Sequence, residues 1–293
     1  FSTNDAWLYD WSEICDLYTY VPDDNFEQAL IDLGHDEALD DLVLTENISG
    51  VTYLHVSNES IGDLTGIEDF TSLTFLFCND NQLDNLDVSA NTALTTLGCW
   101  GNQLESLDLS NNTALDQLYC RNNQLTSLDL SNNISLDSLG VSNNQLTSLD
   151  LSSNTTLGRL NCNDNQLTSL DLSNNTSLDW LYCYNNELTY LNMENGVTGG
   201  LTDFIATNNY LTCIGTLDPE YYTERWTYEN GNIDEGVYFS DICPSMEPQI
   251  MSVTDIPEDQ GGRVYVEFIA STFDVFEEAG QSYGIMRYDY FDN

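Results

Sequence analysis

The chain has 293 residues, of which 41% are hydrophobic, so it carries enough apolar side chains for a folded core. Forty-nine acidic residues stand against five arginines and no lysine, which gives a formal net charge of −44. This charge repels phosphate and argues against nucleic acids and anionic membranes as partners. No apolar run approaches the roughly 20 residues needed to cross a bilayer, so no transmembrane segment is predicted.

Residues 1–50 are predicted to form an N-terminal segment and a helical cap. Asp23 or Asp24 can cap a short helix that runs to Leu33, with Gly34 in the position that ends it. Such a helix would cover the open end of a stack of repeats. Cys15 precedes this cap and has no obvious partner in the sequence.

A period of 21 residues dominates the centre of the chain. From Leu73 to Leu178 the sequence repeats the pattern LxxLxCxxNxLxxLDLSxNxx, and divergent coils begin at Val51 and Leu201. Because one coil cannot bury its leucines alone, neighbouring coils must stack around a continuous core. The predicted fold class is a leucine-rich-repeat solenoid, rich in β-structure with a parallel sheet. It takes about eight coils over residues 51–212.

The most regular polar and sulfur positions of the coil are predicted to be structural. Asparagine amides at two fixed positions can satisfy backbone groups that the chain reversals leave unpaired. The cysteine position also accepts valine, at Val141, so it is an apolar packing position in which a thiol acts as a small hydrophobe. We predict a reduced, buried ladder of Cys78, Cys99, Cys120, Cys162 and Cys183.

The strand that contains the cysteine has outward positions that vary from coil to coil. Alternation sends these side chains away from the core, and in leucine-rich repeats this sheet lines the concave face. Aromatic residues and arginines, which carry most interface hot spots, are concentrated there. The alternative is that aromatic residues simply favour strands. The predicted ligand-binding residues are Tyr53, Phe75, Phe77, Trp100, Tyr119, Arg121, Arg159, Trp180, Tyr182 and Tyr184.

The other half of the coil repeats Ser-Leu-Asp-Leu-Ser and stacks five carboxylates at intervals of roughly 5 Å. Each aspartate can accept backbone hydrogen bonds in its own turn, which is the interpretation we favour. Calcium is the alternative, since oxygen ligands suit it, although it needs six or more of them to converge. No other cofactor is predicted. The aspartates are Asp87, Asp108, Asp129, Asp150 and Asp171.

The coil, with its LxCxxN and LDLSxN halves, resembles the bacterial repeat class that includes the cysteine-ladder internalins. It resembles still more closely the repeat proteins common in Bacteroidetes and related marine bacteria. The stretch from Tyr20 to Leu30 is similar to the N-terminal cap of those proteins, and the resemblance covers roughly residues 18–243. It implies a secreted or surface-attached module for binding or adhesion, in a class whose members do not share one ligand.

The resemblance extends to the end of the repeats. The stretch that begins at Leu211 is similar to the final half-coil of the class, and residues 213–247 are similar to its C-terminal cap. What the resemblance implies, given an oxidising compartment, is a disulfide between Cys213 and Cys243.

Residues 248–293 have a different composition, with a strand, a turn and an alternating strand. They resemble the opening of a fibronectin-type-III-like β-sandwich. A complete sandwich needs about 100 residues. We therefore expect a partial module, which further chain or a partner completes.

The sequence has no nucleophile elbow, no phosphate-binding glycine loop and no zinc-binding helix motif. We predict a non-enzymatic extracellular module, secreted or at the cell surface, that binds a protein or a glycan through the concave face. The alternative is a structural surface-layer or filament component, because a solenoid end or an open sheet edge can template another copy of the chain.

Overall fold

A computed structural model describes residues 17–196 and 200–243, together with two strands near the C-terminus, Gln249–Asp255 and Val264–Ile269. Cys15, and with it the question of its partner, lies outside the described residues. So does most of the predicted sandwich module.

The N-terminal cap consists of a small antiparallel sheet and two helices. Strand β1 (Tyr18–Tyr20) pairs with β2 (Leu42–Leu44), and the helices are α1 (Asp24–Asp32) and α2 (Thr45–Ile48). Asp23 caps α1, since its Oδ1 accepts hydrogen bonds from the second and third backbone N–H groups of the first turn. The predicted helical cap is therefore present.

The same Asp23 side chain fastens the cap to the repeats. Its second oxygen, Oδ2, accepts the backbone N–H groups of Gly62 at 2.8 Å and Asp63 at 3.0 Å in the first coil. Gly34 follows the helix with a φ of 78°, a left-handed conformation that glycine adopts without strain.

A parallel sheet of eight short strands runs along the repeats, and each strand pairs in register with its neighbours. A 3₁₀-helix, Ile67–Asp69, lies between the first two strands. In order along the sheet the strands are β3 (Tyr53–His55), β4 (Phe75–Phe77), β5 (Thr96–Gly98), β6 (Gln117–Tyr119), β7 (Ser138–Gly140), β8 (Arg159–Asn161), β10 (Trp180–Tyr182) and β12 (Asp203–Ile205).

A second parallel sheet forms from the other half-coils towards the C-terminal end. Its strands are β9 (Ser169–Asp171), β11 (Tyr190–Asn192), β13 (Cys213–Gly215) and β14 (Tyr238–Ser240). Leucines from every coil are fully buried between the two sides, as Leu97, Leu118 and Leu139 illustrate. The parallel-sheet solenoid predicted from the 21-residue period is confirmed.

The asparagine positions act as predicted. Asn123 Oδ1 accepts the Leu104 N–H at 3.0 Å, while its Nδ2 donates to the carbonyl oxygens of Cys99 at 3.1 Å and Cys120 at 3.0 Å. One buried amide therefore joins two successive coils and closes its own turn. The same pattern recurs at Asn102, Asn144 and Asn165.

The C-terminal cap closes the other end of the core. Helix α3 (Pro219–Arg225) is capped by the Asp218 side chain, and Trp226 packs edge-on against Phe204 of the last coil. The disulfide between Cys213 and Cys243 is present, with its Cα atoms 5.7 Å apart. A covalent link therefore ties the end of this cap to the final half-coil.

The two remaining strands, β15 (Gln249–Asp255) and β16 (Val264–Ile269), pair antiparallel with a register shift between Ile250 and Ser252. The two strands agree with those expected from the sequence, and the turn predicted between them lies outside the described residues. The complete sandwich stays a prediction, as do the domain boundaries.

Candidate ligand-binding face

We call the outward side of the eight-stranded sheet the sheet face. Its side chains alternate with the inward leucines and cysteines in three columns. The first column holds Tyr53, Phe75, Thr96, Gln117, Ser138, Arg159, Trp180 and Asp203; the second holds His55, Phe77, Gly98, Tyr119, Gly140, Asn161, Tyr182 and Ile205; and the third holds Ser57, Asn79, Trp100, Arg121, Ser142, Asn163, Tyr184 and Thr207. All ten predicted ligand-binding residues lie on this face.

A cluster of rings covers the N-terminal part of the face. Tyr53 and Phe75 expose 55% and 41% of their surface. The Tyr53 ring lies 6.2 Å from Phe75 and 6.0 Å from Phe77 between centroids, and Phe77 meets the edge of Trp100 at 6.4 Å. Such spacing is that of favourable aromatic pairs. The cluster spans three adjacent strands and leaves its outer surface in solvent.

Gly98 lies directly beneath two rings of this cluster. A Cβ atom built on Gly98 would lie 2.6 Å from Cδ1 of Phe77 and 2.8 Å from Cζ3 of Trp100, closer than real atoms approach. The missing side chain therefore lets two rings lie down on the sheet. Gly140 has a similar but looser relation to Tyr119, whose Cδ1 would lie 3.2 Å from an added Cβ.

The two arginines of the face lie in its middle. The Arg121 guanidinium sits 5.3 Å above the Trp100 ring, within the range of a cation–π contact. Arg159 is exposed on β8, in register between Ser138 and Trp180. Within the described part of the chain, neither arginine forms an ion pair.

A second ring cluster occupies the C-terminal part of the face. The Trp180 and Tyr182 rings lie 4.0 Å apart between centroids, and Tyr184 lies 6.2 Å from Tyr182. Asp203 Oδ2 accepts hydrogen bonds from Tyr182 Oη at 2.8 Å and Trp180 Nε1 at 3.3 Å. Burial, followed by the Asp203 carboxylate, raises the pKa of Tyr182. One carboxylate thus fixes the orientation of two rings.

The prediction from the strand pattern missed two features of the sheet face. Thr96, Ser138 and Ser142 point outward yet are buried, and the Tyr119 hydroxyl donates a hydrogen bond to Ser138 Oγ at 3.2 Å. Asp203 was not among the predicted residues. Extending the 21-residue period across the two-residue insertion before Leu201 places it beside Trp180, so the sequence did contain the signal.

The aspartate ladder lies on the other half-coil. In the five coils that carry the aspartate, its Oδ1 accepts the backbone N–H of the serine two residues later, at 2.9–3.0 Å. For Asp108, Asp129 and Asp150 this backbone bond, followed by the serine side chain, lowers the pKa; at Asp87 the serine side chain is the larger cause. The turn-forming interpretation has direct support, and the calcium site stays a prediction.

The cysteine ladder offers no reactive thiol. The five cysteines are buried and free, as predicted. Burial raises the pKa of Cys78, Cys120 and Cys162 to about 12, and that of Cys99 and Cys183 well above its ordinary value. A neutral buried thiol is a poor nucleophile and a poor metal ligand. Among the described residues no group of three or more His, Cys, Asp or Glu side chains is arranged to hold a metal ion.

The stacked parallel strands define a leucine-rich-repeat solenoid, and its sheet face carries two clusters of aromatic side chains. No family model matches the chain. Over 73 residues, 25% of this chain, it is 40% identical to internalin J of Listeria monocytogenes serotype 4b (strain F2365). That stretch is 8% of internalin J, so the chain spans less than a tenth of the curated relative that it matches.

Solved structures of two other Listeria monocytogenes proteins share the fold. Internalin C2 of strain 4b F2365 superposes with a TM-score of 0.62 at 21% identity, over 76% of this chain and 98% of that one. The internalin inlF of the same strain gives a TM-score of 0.52 at 21% identity, over 68% and 74% of the two chains. None of the described helices is long and apolar enough to cross a membrane.

Proposed function

We propose that this chain is a non-enzymatic binding or adhesion module, secreted or at a bacterial cell surface, that holds a protein or a glycan on the concave side of the solenoid. The observation that carries the proposal is the sheet face. Two ring clusters lie on it, half-buried or exposed, while the inward positions of the same strands are uniform leucines.

Three arguments support this role. Contact between apolar rings and water is unfavourable. Contiguous patches of exposed rings are therefore uncommon unless they bind a partner. Tyr, Trp and Arg are also the side chains that contribute most to binding energy. Finally, Gly98 makes room for two rings and Asp203 fixes two others, so the face is preorganised and a ligand loses less entropy on binding.

The test is substitution of the rings. Trp100→Ala and Trp180→Ala should each weaken binding to a ligand recovered from glycan and protein arrays at least tenfold, as expected for hot-spot rings. Tyr238→Ala is the matched control, because this tyrosine is exposed on β14 of the other sheet. If Tyr238→Ala weakens binding as much as the two face variants do, the sheet face is not the binding surface.

Light scattering on the same variants tests the alternative of a self-assembling component. A binder should be monomeric in all forms. A large assembly that the Trp100 and Trp180 variants leave intact would favour the filament or surface-layer role instead.

A further inference from the structure

The sheet face has a charge that differs from the rest of the molecule. Two outward positions on each of eight strands, with the outward position two residues after each strand, make 24 positions, and only Asp203 among them is acidic. At the chain average of 49 acidic residues in 293, the same positions would hold about four. Carboxylates do lie at the rims, at Asp80, Asp116, Asp137, Asp164 and Asp179, so the depletion is confined to the columns.

The single carboxylate of the columns is already engaged. Asp203 accepts hydrogen bonds from Trp180 and Tyr182, so its charge is used to orient rings. The cationic side chains show the opposite pattern. The structure describes three of the five arginines, and two of them, Arg121 and Arg159, lie on this face.

Both arginines are available to a ligand. In a chain with 49 acidic residues, neither guanidinium forms an ion pair with a described residue. Arg121 is held over the Trp100 ring, which orients its planar group without using its N–H donors. A guanidinium held in this way has a free fork of donors that matches a carboxylate in two parallel hydrogen bonds.

On these grounds we infer that the ligand of the sheet face is an acidic oligosaccharide whose carboxylates pair with Arg121 and Arg159; this inference rests on the proposed function. The columns carry half-buried neutral hydrogen-bonding groups between the rings, at Gln117 and Asn161. Rings that lie on the sheet suit the apolar faces of sugars, and amides and hydroxyls suit their OH groups. At 0.15 M salt, exposed charges more than about 8 Å apart are largely screened, so the net charge of −44 does not exclude an anionic ligand that pairs directly with the two arginines. The columns themselves offer a polycationic partner only the carboxylate of Asp203.

The spacing of the arginines sets the size of the ligand. Arg159 lies on β8, and Arg121 follows β6, two strands away, with an offset of four residues along the strand direction. At about 4.8 Å between strands and about 3.3 Å per residue, their Cα atoms are roughly 16 Å apart. A single acidic sugar reaches one of them, whereas an oligomer reaches both.

The experiment measures binding by calorimetry at 0.15 M salt with two probes: an oligouronate, and the same oligosaccharide with its carboxyl groups reduced to alcohols. Arg121→Gln and Arg159→Gln should each weaken oligouronate binding about fivefold, with additive effects in the double variant. Neither should change the binding of the reduced probe. Arg225→Gln is the control, since Arg225 also lies near rings, those of Tyr221 and Trp226, but on the C-terminal cap.

The outcomes separate this inference from the proposed function. If the tryptophan variants lose the array ligand while the arginine variants keep full affinity for it, the face binds but the acidic-sugar assignment is wrong. Equal affinity of the wild type for the two probes overturns the assignment as well. If the protein binds poly-glutamate but not the oligouronate, the ligand is an acidic protein segment and the acidic-sugar assignment is wrong. Preserved array binding in the tryptophan variants would refute the proposed function itself.

Discussion

The two halves of each coil form two unlike surfaces from one repeat. The Asp-Leu-Ser half is nearly identical in five successive coils, and each of its aspartates accepts a hydrogen bond from its own turn. The half that forms the sheet face changes at every outward position and is almost free of carboxylates. The difference teaches that uniform positions serve the stacking of coils, because stacking places the same requirement on every coil. Variable positions are free of that requirement.

If uniform positions stabilise the stack, the largest loss of stability should follow removal of an asparagine that joins coils. Asn123→Ala leaves one buried N–H and two buried carbonyl groups without this amide, so we expect a loss of about 3 kcal/mol in the free energy of unfolding by urea. Gln124→Ala, at the exposed neighbouring position, should stay within about 0.5 kcal/mol of the wild type. Similar values for the two variants would contradict a structural ladder.

The cysteine position tests whether the ladder requires sulfur or only apolar volume. Cys120→Val should change the free energy of unfolding by less than about 1 kcal/mol, since Val141 fills the equivalent position one coil later. Cys120→Ser should cost about 2 kcal/mol, because it buries a hydroxyl among apolar side chains. A destabilising valine together with a tolerated serine would show that the position is polar.

The variable half is tested by Gly98→Ala. The added methyl group collides with Phe77 and Trp100, so we expect a loss of about 1–2 kcal/mol and a change in tryptophan fluorescence and near-ultraviolet circular dichroism. Gly50→Ala is the control, since an added Cβ there meets nothing within 4 Å. An unchanged tryptophan spectrum would mean that the rings do not lie on Gly98.

The smallest effect is expected at the aspartate ladder. The pKa of Asp129 is lowered in the folded chain, chiefly by the Ser131 N–H, so its ionised form contributes stability above the unfolded pKa of about 3.9. That contribution is lost as the pH falls through the folded pKa. Asp129→Asn should therefore be slightly less stable than the wild type at pH 7, and the difference should shrink as the pH falls below about 3.9 and through the lowered pKa of the folded chain.

Calcium provides the second measurement on this variant. If the aspartates only close turns, millimolar calcium should leave the melting temperatures of the wild type and of Asp129→Asn equally unchanged. If calcium raises the melting temperature of the wild type but not that of the variant, the aspartate ladder binds calcium.

Inward and outward positions differed in how far the sequence could predict them. Leu97, Cys120 and Asn123 were assigned correctly because the core presents the same surroundings every 21 residues, so the comparison of coils reveals what each position requires. The placement of the ten face residues was predictable from alternation along the strand. Many of their contacts were not, because those contacts join side chains of different coils.

The sequence by itself determined the solenoid, its caps and the identity of its core. In the repeats this was possible because a strict period places the same packing requirement on every coil. Only the tertiary structure decided that Phe77 and Trp100 lie down over Gly98, that Asp203 holds Trp180 and Tyr182, and that Arg121 rests on Trp100. Apart from the contact between Gly98 and Trp100, these contacts form between residues 21 to 23 positions apart, where stacking sets the distance. The sequence gives the residues of the face, and the stacking of coils sets how they meet.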